Sequence, residues 1–252
     1  MIINIPDELI LQKLSQAAQT YDYYCNKDFL YISLSTNKNN LFMFEAQYAP
    51  EHFQHLCGIN SETMSPSSFY KNTLSNNISI SDCTPSRNHT RHEILDKLNS
   101  LISLLNMKNI RMYRAGDKIQ NVGNIDFDFA VGDSSFIGYK IDARTKMCFP
   151  LTNMIAPIAD YCVNPKRVSL ILSKTPDKKL YDTVEYEVSK HLLSKVDSDI
   201  IETLTAFLNK EALLTKENTS QNILTPNEHA KQTTPTIDSA EIKNAEEDEY
   251  EK

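Results

Sequence analysis

The stretch TRHEILDKLNSLISLL, residues 90–105, predicts the best-defined element of the chain. Thr90 and Glu93 have the spacing of a helix capping box, in which each side chain bonds the backbone N–H of the other residue. The apolar residues that follow recur at helical spacing, at Ile94, Leu98, Leu101 and Leu105. The stretch therefore predicts an amphipathic helix with one face in a core.

Downstream of this helix the apolar pattern changes to that of strands. The predicted strands are IRMYRA (110–115), IDFDFAV (125–131), FIGYKI (136–141), MCFPL (147–151), VSLILS (168–173) and YDTVEYEV (181–188). Short connections between successive strands favour an antiparallel sheet. Residues 153–161, interrupted by Pro157, predict a helical turn.

Upstream of the helix over residues 90–105, the apolar pattern predicts further helices and a hairpin. Asp7 is expected to cap a first helix. FLYISLS (29–35) and LFMFEA (41–46) predict a β-hairpin, and PSSFYKNTL (66–74) predicts a short helix. The order of elements indicates an α+β fold, with N-terminal helices packed on a twisted antiparallel sheet.

The C-terminal part predicts a closing helix and then a tail. The helix is expected to be capped near Ser198, with apolar residues from Ile200 to Leu208. From residue 215 few apolar residues remain, too few to offset the entropy of ordering. We therefore expect one α+β domain over residues 1–214 and a disordered acidic tail over residues 215–252.

Charge, cysteine content and hydropathy narrow the class of protein. The tail carries most of the net charge of -7, so the body is close to neutral, which is far from the basic balance of a dedicated DNA-binding protein. The five cysteines include no CxxC pair, which favours reduced thiols. The chain lacks a signal-peptide pattern and any run of eighteen apolar residues, so we expect a cytoplasmic protein without membrane contact.

The stretch PEHFQHLCGI, residues 50–59, is the most compact candidate for a functional site. Pro50 suits the first turn of a helix, and Gly58 suits a left-handed exit from it. Between them, His52 and His55 flank the apolar face three residues apart. An imidazole beside an apolar face is more often structural than catalytic, so the residues alone leave both interpretations open.

The sequence favours chemistry without a metal or cofactor. It has no HExxH, Walker loop or GxGxxG motif, and two histidines without a third ligand are a weak metal signal. Metal-free cleavage of RNA needs proton-transfer groups and a cation for the phosphate. The candidates for this chemistry are His55, Arg114, Lys140, Lys174, Tyr181 and Thr183, with Tyr70 of the helix over 66–74 as a further substrate contact. Each also has a structural alternative: Lys174 and Tyr181 flank a hairpin turn, for example.

Several motifs together resemble a known family. The resembling segments are FQHLCGI (53–59), SFY (68–70), FIGYKID (136–142), FPLTNMI (149–155) and VSLILSKTPDKKLYDTVEYEV (168–188). They are similar to phage-associated nuclease-like domains grouped with barnase, EndoU, colicin nucleases and RelE, specifically the fourth such phage family. The family's P-N-S/T turn reads Pro150-Leu151-Thr152-Asn153 in this chain, so its polar residues are shifted.

The resemblance implies a helical N-terminal half on an antiparallel sheet and an endoribonuclease activity, and by position it favours His55, Lys174 and Tyr181 as catalytic residues. Arg114, Lys140, Tyr70 and Thr183 remain candidates for substrate binding. RNA is then the expected substrate, in a bacterial host cell. The alternative function is a catalytically inactive protein that inhibits or recruits a host or phage protein, with the acidic tail as a possible contact for that partner.

Overall fold

The structure, a computed structural model, describes residues 5–34, 41–86, 89–107, 113–119, 126–189, 202 and 204–208. Its helices are Asp7–Cys25 (α1), Pro50–Leu56 (α2), Pro66–Leu74 (α3) and Arg91–Leu105 (α4), with short 3₁₀ turns at Ile80–Asp82 and Ile158–Asp160. Its strands are Asp28–Leu34 (β1), Leu41–Gln47 (β2), Ile59–Asn60 (β3), Thr84–Pro85 (β4), Arg114–Asp117 (β5), Phe129–Gly132 (β6), Phe136–Ile141 (β7), Cys148–Met154 (β8), Lys166–Arg167 (β9), Leu170–Lys174 (β10) and Thr183–Glu187 (β11). Among these described residues, no helix is both long and apolar enough to cross a lipid bilayer.

Nine of the strands form one sheet in the order β11-β10-β1-β2-β8-β7-β6-β5-β9, and β3 pairs with β4 separately. The predicted hairpin of β1 and β2 is confirmed, but it lies in the middle of the sheet. The expectation of a wholly antiparallel sheet is wrong at one place, because β2 and β8 pair in parallel through Ala46 and Cys148. Strands from both halves of the chain therefore share one sheet.

The sheet is curled, so that strands far apart in its order come together. The Ser33 hydroxyl donates to the Lys166 carbonyl over 3.3 Å, and the Ser169 amide donates to the Ile32 carbonyl over 2.8 Å. Because of these bonds, β9, the last strand in the sheet order, lies beside β1.

The sheet has an inner face whose side chains join the helices in the main core and an outer face whose side chains lie outside that core. In β1, Phe29 and Tyr31 point into the main core, which the helices share, whereas Leu30 and Ile32 point outward. The outer face carries two smaller apolar clusters, one closed by Leu204 and Leu208 and the other by Ile158 and Cys162. Strand alternation thus decides which predicted site residues lie on which face.

The predicted helix over residues 90–105 is confirmed. The Thr90 amide donates to the Glu93 carboxylate over 2.6 Å, and the Glu93 amide donates to the Thr90 hydroxyl over 3.3 Å, which completes the capping box. In α1 the expected cap is wrong: the N-cap is Pro6, and Asp7 lies in the first turn, where its carboxylate pairs with Arg91.

Other expectations shift at the element ends. β8 continues to Met154, three residues beyond the predicted strand, so the segment that resembled a family turn is a strand here. Of the helical turn predicted over residues 153–161, the structure contains only the 3₁₀ turn Ile158–Asp160. The hairpin turn after β1, the start of the predicted strand over 110–115, the Ser198 cap and the tail lie outside the described residues.

Asn153 connects three elements through its buried side chain. Its amide nitrogen donates to the Lys97 carbonyl of α4 over 2.8 Å and to the Leu56 carbonyl of α2 over 3.3 Å. Its amide oxygen accepts a hydrogen bond from the Ser100 hydroxyl over 3.1 Å. Because the side chain has no exposed surface, these bonds cannot be exchanged for bonds to water.

Asn153→Ala should lower the free energy of unfolding by about 3 kcal/mol, because it removes three buried hydrogen bonds and leaves a cavity. Urea unfolding followed by circular dichroism measures this. Asn99→Ala, on the exposed side of α4, is the matched control and should change stability by less than about 0.5 kcal/mol. Equal stability of the two variants would contradict the role of Asn153 in connecting β8 with α2 and α4.

Candidate functional site

Helix α2 is held in place at both ends. The Tyr21 hydroxyl donates to the Ala49 carbonyl just before the helix over 3.0 Å, and Phe53 and Leu56 have no exposed surface. Gly58 has a φ of 70°, which confirms the predicted left-handed exit. A Cβ at Gly58 would lie 2.7 Å from the Lys97 side chain, so this position also requires a small residue.

The two histidines of α2 have different environments. His55 is exposed on the helix surface. His52 is half-buried: its ring stacks on Phe149 of β8, with centroids 5.0 Å apart and planes 19° apart. Burial lowers the pKa of His52, although Glu51 opposes the shift, and its Nδ1 lacks a hydrogen-bond partner among the described residues. His52 therefore packs α2 against β8, and His55 is the accessible imidazole.

Lys174 and Tyr181 are neighbours on the outer face, as the hairpin pattern predicted. The Lys174 ammonium lies 5.0 Å from the centre of the Tyr181 ring. It also lies 3.7 Å from a carboxylate oxygen of Asp28, whose other oxygen accepts a hydrogen bond from Gln47 over 3.3 Å. The Tyr181 hydroxyl donates to the Glu45 carboxylate over 2.8 Å. We call these five residues the lysine cluster.

The lysine cluster is largely closed to solvent. The side chains of Lys174 and Asp28 are 13% and 6% exposed, and Tyr181 has no exposed surface. Burial raises the pKa of Asp28, despite the opposing effect of Lys174, and the nearby Glu45 adds to the shift. Burial and Glu45 also raise the pKa of Tyr181. Tyr181 therefore stays protonated and bonded to Glu45, with no solvent-accessible path from its hydroxyl to a substrate in this conformation.

The strand register places Lys140 in the same row of the outer face as Lys174. Asp28 pairs with both Lys174 and Gln47, and Lys140 pairs with Phe149. Ala46 and Cys148 pair and point inward, so the next residues along their strands, Gln47 and Phe149, point outward side by side. The resulting outer-face row is Lys174, Asp28, Gln47, Phe149 and Lys140. Its two ends are four strand spacings apart, about 19 Å.

The row connects to α2 through the stack of His52 on Phe149. His55 lies one helical turn further along α2, towards the end of the helix that Asn153 holds. His55 therefore lies one helical turn from the histidine that contacts the row, while Lys174 and Tyr181 lie at the far end of the row from Lys140.

The other predicted binding residues are also bonded within the protein or lie elsewhere. Lys140 lies 2.6 Å from the carboxylate of Asp126 and 3.4 Å from that of Asp128. The Thr183 hydroxyl donates to Asp182 over 3.1 Å. Tyr70 is buried in the helical layer, where its hydroxyl donates to the Asp22 carboxylate over 2.6 Å. Of the predicted binding residues, Arg114 is exposed, and it lies on β5, outside the row.

Sequence reasoning missed Asp28, Glu45 and Gln47, the partners of Lys174 and Tyr181. One available signal was the presence of polar residues at the ends of two otherwise apolar strand patterns. The carboxylates matter chemically, because a lysine already paired with a buried carboxylate contributes little net charge to a phosphate site. Among the described residues, no three His, Cys, Asp or Glu side chains meet as ligands for a metal ion.

The described residues form an α+β fold of helices and one large curled sheet, with an exposed histidine on α2. The family described as phage-Barnase-EndoU-ColicinE5/D-RelE like nuclease4 matches residues 13–190, more than half of the chain. The chain therefore belongs to this family, as its motifs indicated. No curated protein and no solved structure matches it.

Lys174→Met should destabilise the protein by about 3 kcal/mol at pH 7, because it leaves the buried Asp28 carboxylate without a cation. The folded-state pKa of Asp28 is already raised, so the folded protein holds this proton more tightly than the unfolded chain does. The deficit should therefore shrink as the pH falls through that pKa. Urea unfolding at a series of pH values from neutral into the acid range measures it.

Two further variants complete this test. Asp28→Asn combined with Lys174→Met should recover most of the lost stability at pH 7. Lys178→Met, which breaks a pair whose lysine is 48% exposed, should cost less than about 0.5 kcal/mol. If the stability lost in Lys174→Met grew as the pH fell, the result would contradict the assigned ion pair between Lys174 and Asp28.

Proposed function

We propose that this protein is a metal-independent endoribonuclease of phage or mobile-element origin that acts as a toxin or effector in the cytoplasm of a bacterial host. Membership of a nuclease-like family supports the reaction class. The observation that carries the proposal is the exposed imidazole of His55 on a helix that Tyr21 and Asn153 hold at its two ends. An exposed imidazole on a rigid support is suited to proton transfer near neutral pH.

In the proposed reaction His55 accepts the proton of a ribose 2′-hydroxyl. The 2′ oxygen then forms a bond to the adjacent phosphorus, the bond from phosphorus to the 5′ oxygen breaks, and the leaving oxygen takes up a proton from solvent water. Charge builds on the phosphoryl oxygens in the transition state, so a nearby cation would accelerate the reaction. No cofactor is required for these steps.

Lys174 and Tyr181 enter this proposal as positioning residues. Both were predicted to act on the substrate, but their burial and their bonds to Asp28 and Glu45 support an indirect role. They fix one end of the outer-face row, and the row in turn packs against α2 through Phe149. Lys140 and Thr183, whose side chains are also bonded within the protein, fit the same supporting role.

The occupied lysine cluster also favours a second candidate function. A chain whose predicted catalytic lysine and tyrosine are engaged by carboxylates could bind a host or phage protein without cutting RNA. In that case His55→Ala would leave the biological effect unchanged, and removal of residues 215–252 would weaken capture of a stoichiometric protein partner.

Purified protein should cut an RNA pool in EDTA, and His55→Ala should slow cleavage by 100-fold or more, since one general acid–base group contributes about 10²–10⁴ in rate. Single-turnover cleavage of a labelled RNA measures this. His92→Ala, which removes an exposed histidine of α4, is the matched control and should cut at the parental rate. Absence of cleavage, or parental cleavage by His55→Ala, would refute the enzymatic proposal.

Induction of each variant in bacteria separates the two candidate functions. If catalysis causes the effect on the host, the parent and His92→Ala should stop growth and His55→Ala should not. Growth arrest by all three variants would favour the binding function.

A further inference from the structure

The cations on the described part of the sheet fall into two groups. Lys140, Lys174 and Lys178 each pair with a carboxylate, and so does Lys27 just before β1. In contrast, no carboxylate of the described residues lies within ion-pair distance of three cations on two adjacent strands, which are Arg114, Lys166 and Arg167. The second group is therefore the one with charge available for a ligand.

Arg114 and Arg167 lie directly opposite each other across β5 and β9, and Ala115 pairs with Lys166. Residues paired in this way have Cβ atoms about 5 Å apart, and like charges so placed destabilise a sheet. Both arginines are exposed. The next residue of β5, Ala115, points into the main core, so the Arg114 side chain leaves the outer face.

We propose that Arg114 and Arg167, the arginine pair, bind a backbone phosphate of the RNA substrate. This inference rests on the proposed nuclease function. It adds to that function the residues that contact a phosphate of the RNA. Two guanidinium groups can each donate two parallel hydrogen bonds to phosphoryl oxygens, and a phosphate between them removes their mutual repulsion. Lys166 pairs with Ala115, so its side chain lies on the opposite face of the sheet and takes no part in this site.

The arginine pair lies on the same outer face as the paired lysines, but no carboxylate of the described residues would have to be displaced from it. Binding of an anion at Lys140 or Lys174 would have to compete with Asp126 or Asp28, at a cost in Coulomb energy. Binding at the arginine pair has no such cost. RNA is therefore expected to be held at Arg114 and Arg167, not at the lysines that sequence reasoning selected.

Binding of a fluorescent 2′-O-methyl RNA oligonucleotide, which lacks the attacking hydroxyl, measures this contact without cleavage. Arg114→Gln/Arg167→Gln should weaken binding about tenfold or more at moderate salt. It should also reduce the slope of log affinity against log salt by about 0.7, since the two arginines share one phosphate and each lost phosphate contact on a single strand contributes about 0.7. The double variant should melt at or above the parental temperature, because a like-charge contact is gone.

Arg144→Gln/Lys71→Gln removes the same charge from two exposed positions elsewhere and is the matched control. Its affinity and salt slope should stay close to the parental values. Equal losses in the two double variants, or no loss in Arg114→Gln/Arg167→Gln, would overturn the proposed site, as would failure of the parent to bind. RNA that binds through the arginine pair but is not cut would refute the nuclease function and leave this site standing.

Discussion

The buried amide of Asn153 is the interaction on which the placement of the candidate site depends. It is the point where β8, α2 and α4 meet through side-chain bonds, and the Lys97 ammonium adds a bond to the Asn153 carbonyl over 2.5 Å. Because β2 and β8 pair only briefly in parallel, the strands do not fix α2 by themselves. The amide sets how α2 lies along β8, and this position puts His52 on Phe149 and leaves His55 exposed.

The second constraint is electrostatic. The body of the chain is nearly neutral, and the structure pairs much of its positive charge internally: Asp28 and Glu45 surround Lys174 and Tyr181, and Asp126 and Asp128 hold Lys140. The Lys174–Asp28 pair is buried, and buried pairs contribute little net stability but are costly to break. The outer face therefore carries a rigid polar row, while Arg114 and Arg167 lie outside that row, on β5 and β9.

The local elements could be predicted because their signals lie within a few residues. The capping box of α4, the hairpin of β1 and β2, and Gly58 at the end of α2 are of this kind. That Lys174 and Tyr181 lie close together could be predicted for the same reason, because only a short loop separates them in the sequence.

The partners of those residues could not be predicted in the same way. Asp28 and Glu45 reach Lys174 and Tyr181 from strands more than one hundred residues earlier in the chain, and only the sheet order brings them together. Asn153 was expected at the end of a turn, because a single polar residue after an apolar run looks the same whether it is exposed or buried. His52 likewise became a packing residue only once β8 was placed beside α2.

The central claim is that His55 contacts the RNA backbone, and that the half-buried His52 does not. Histidine-labelled protein, titrated with a 2′-O-methyl RNA oligonucleotide and followed by NMR, tests this directly, since only six histidines contribute signals. The account predicts that the imidazole signals of His55 move in step with RNA binding, while those of His92 stay in place. Saturation with RNA that left the His55 signals unmoved would contradict it.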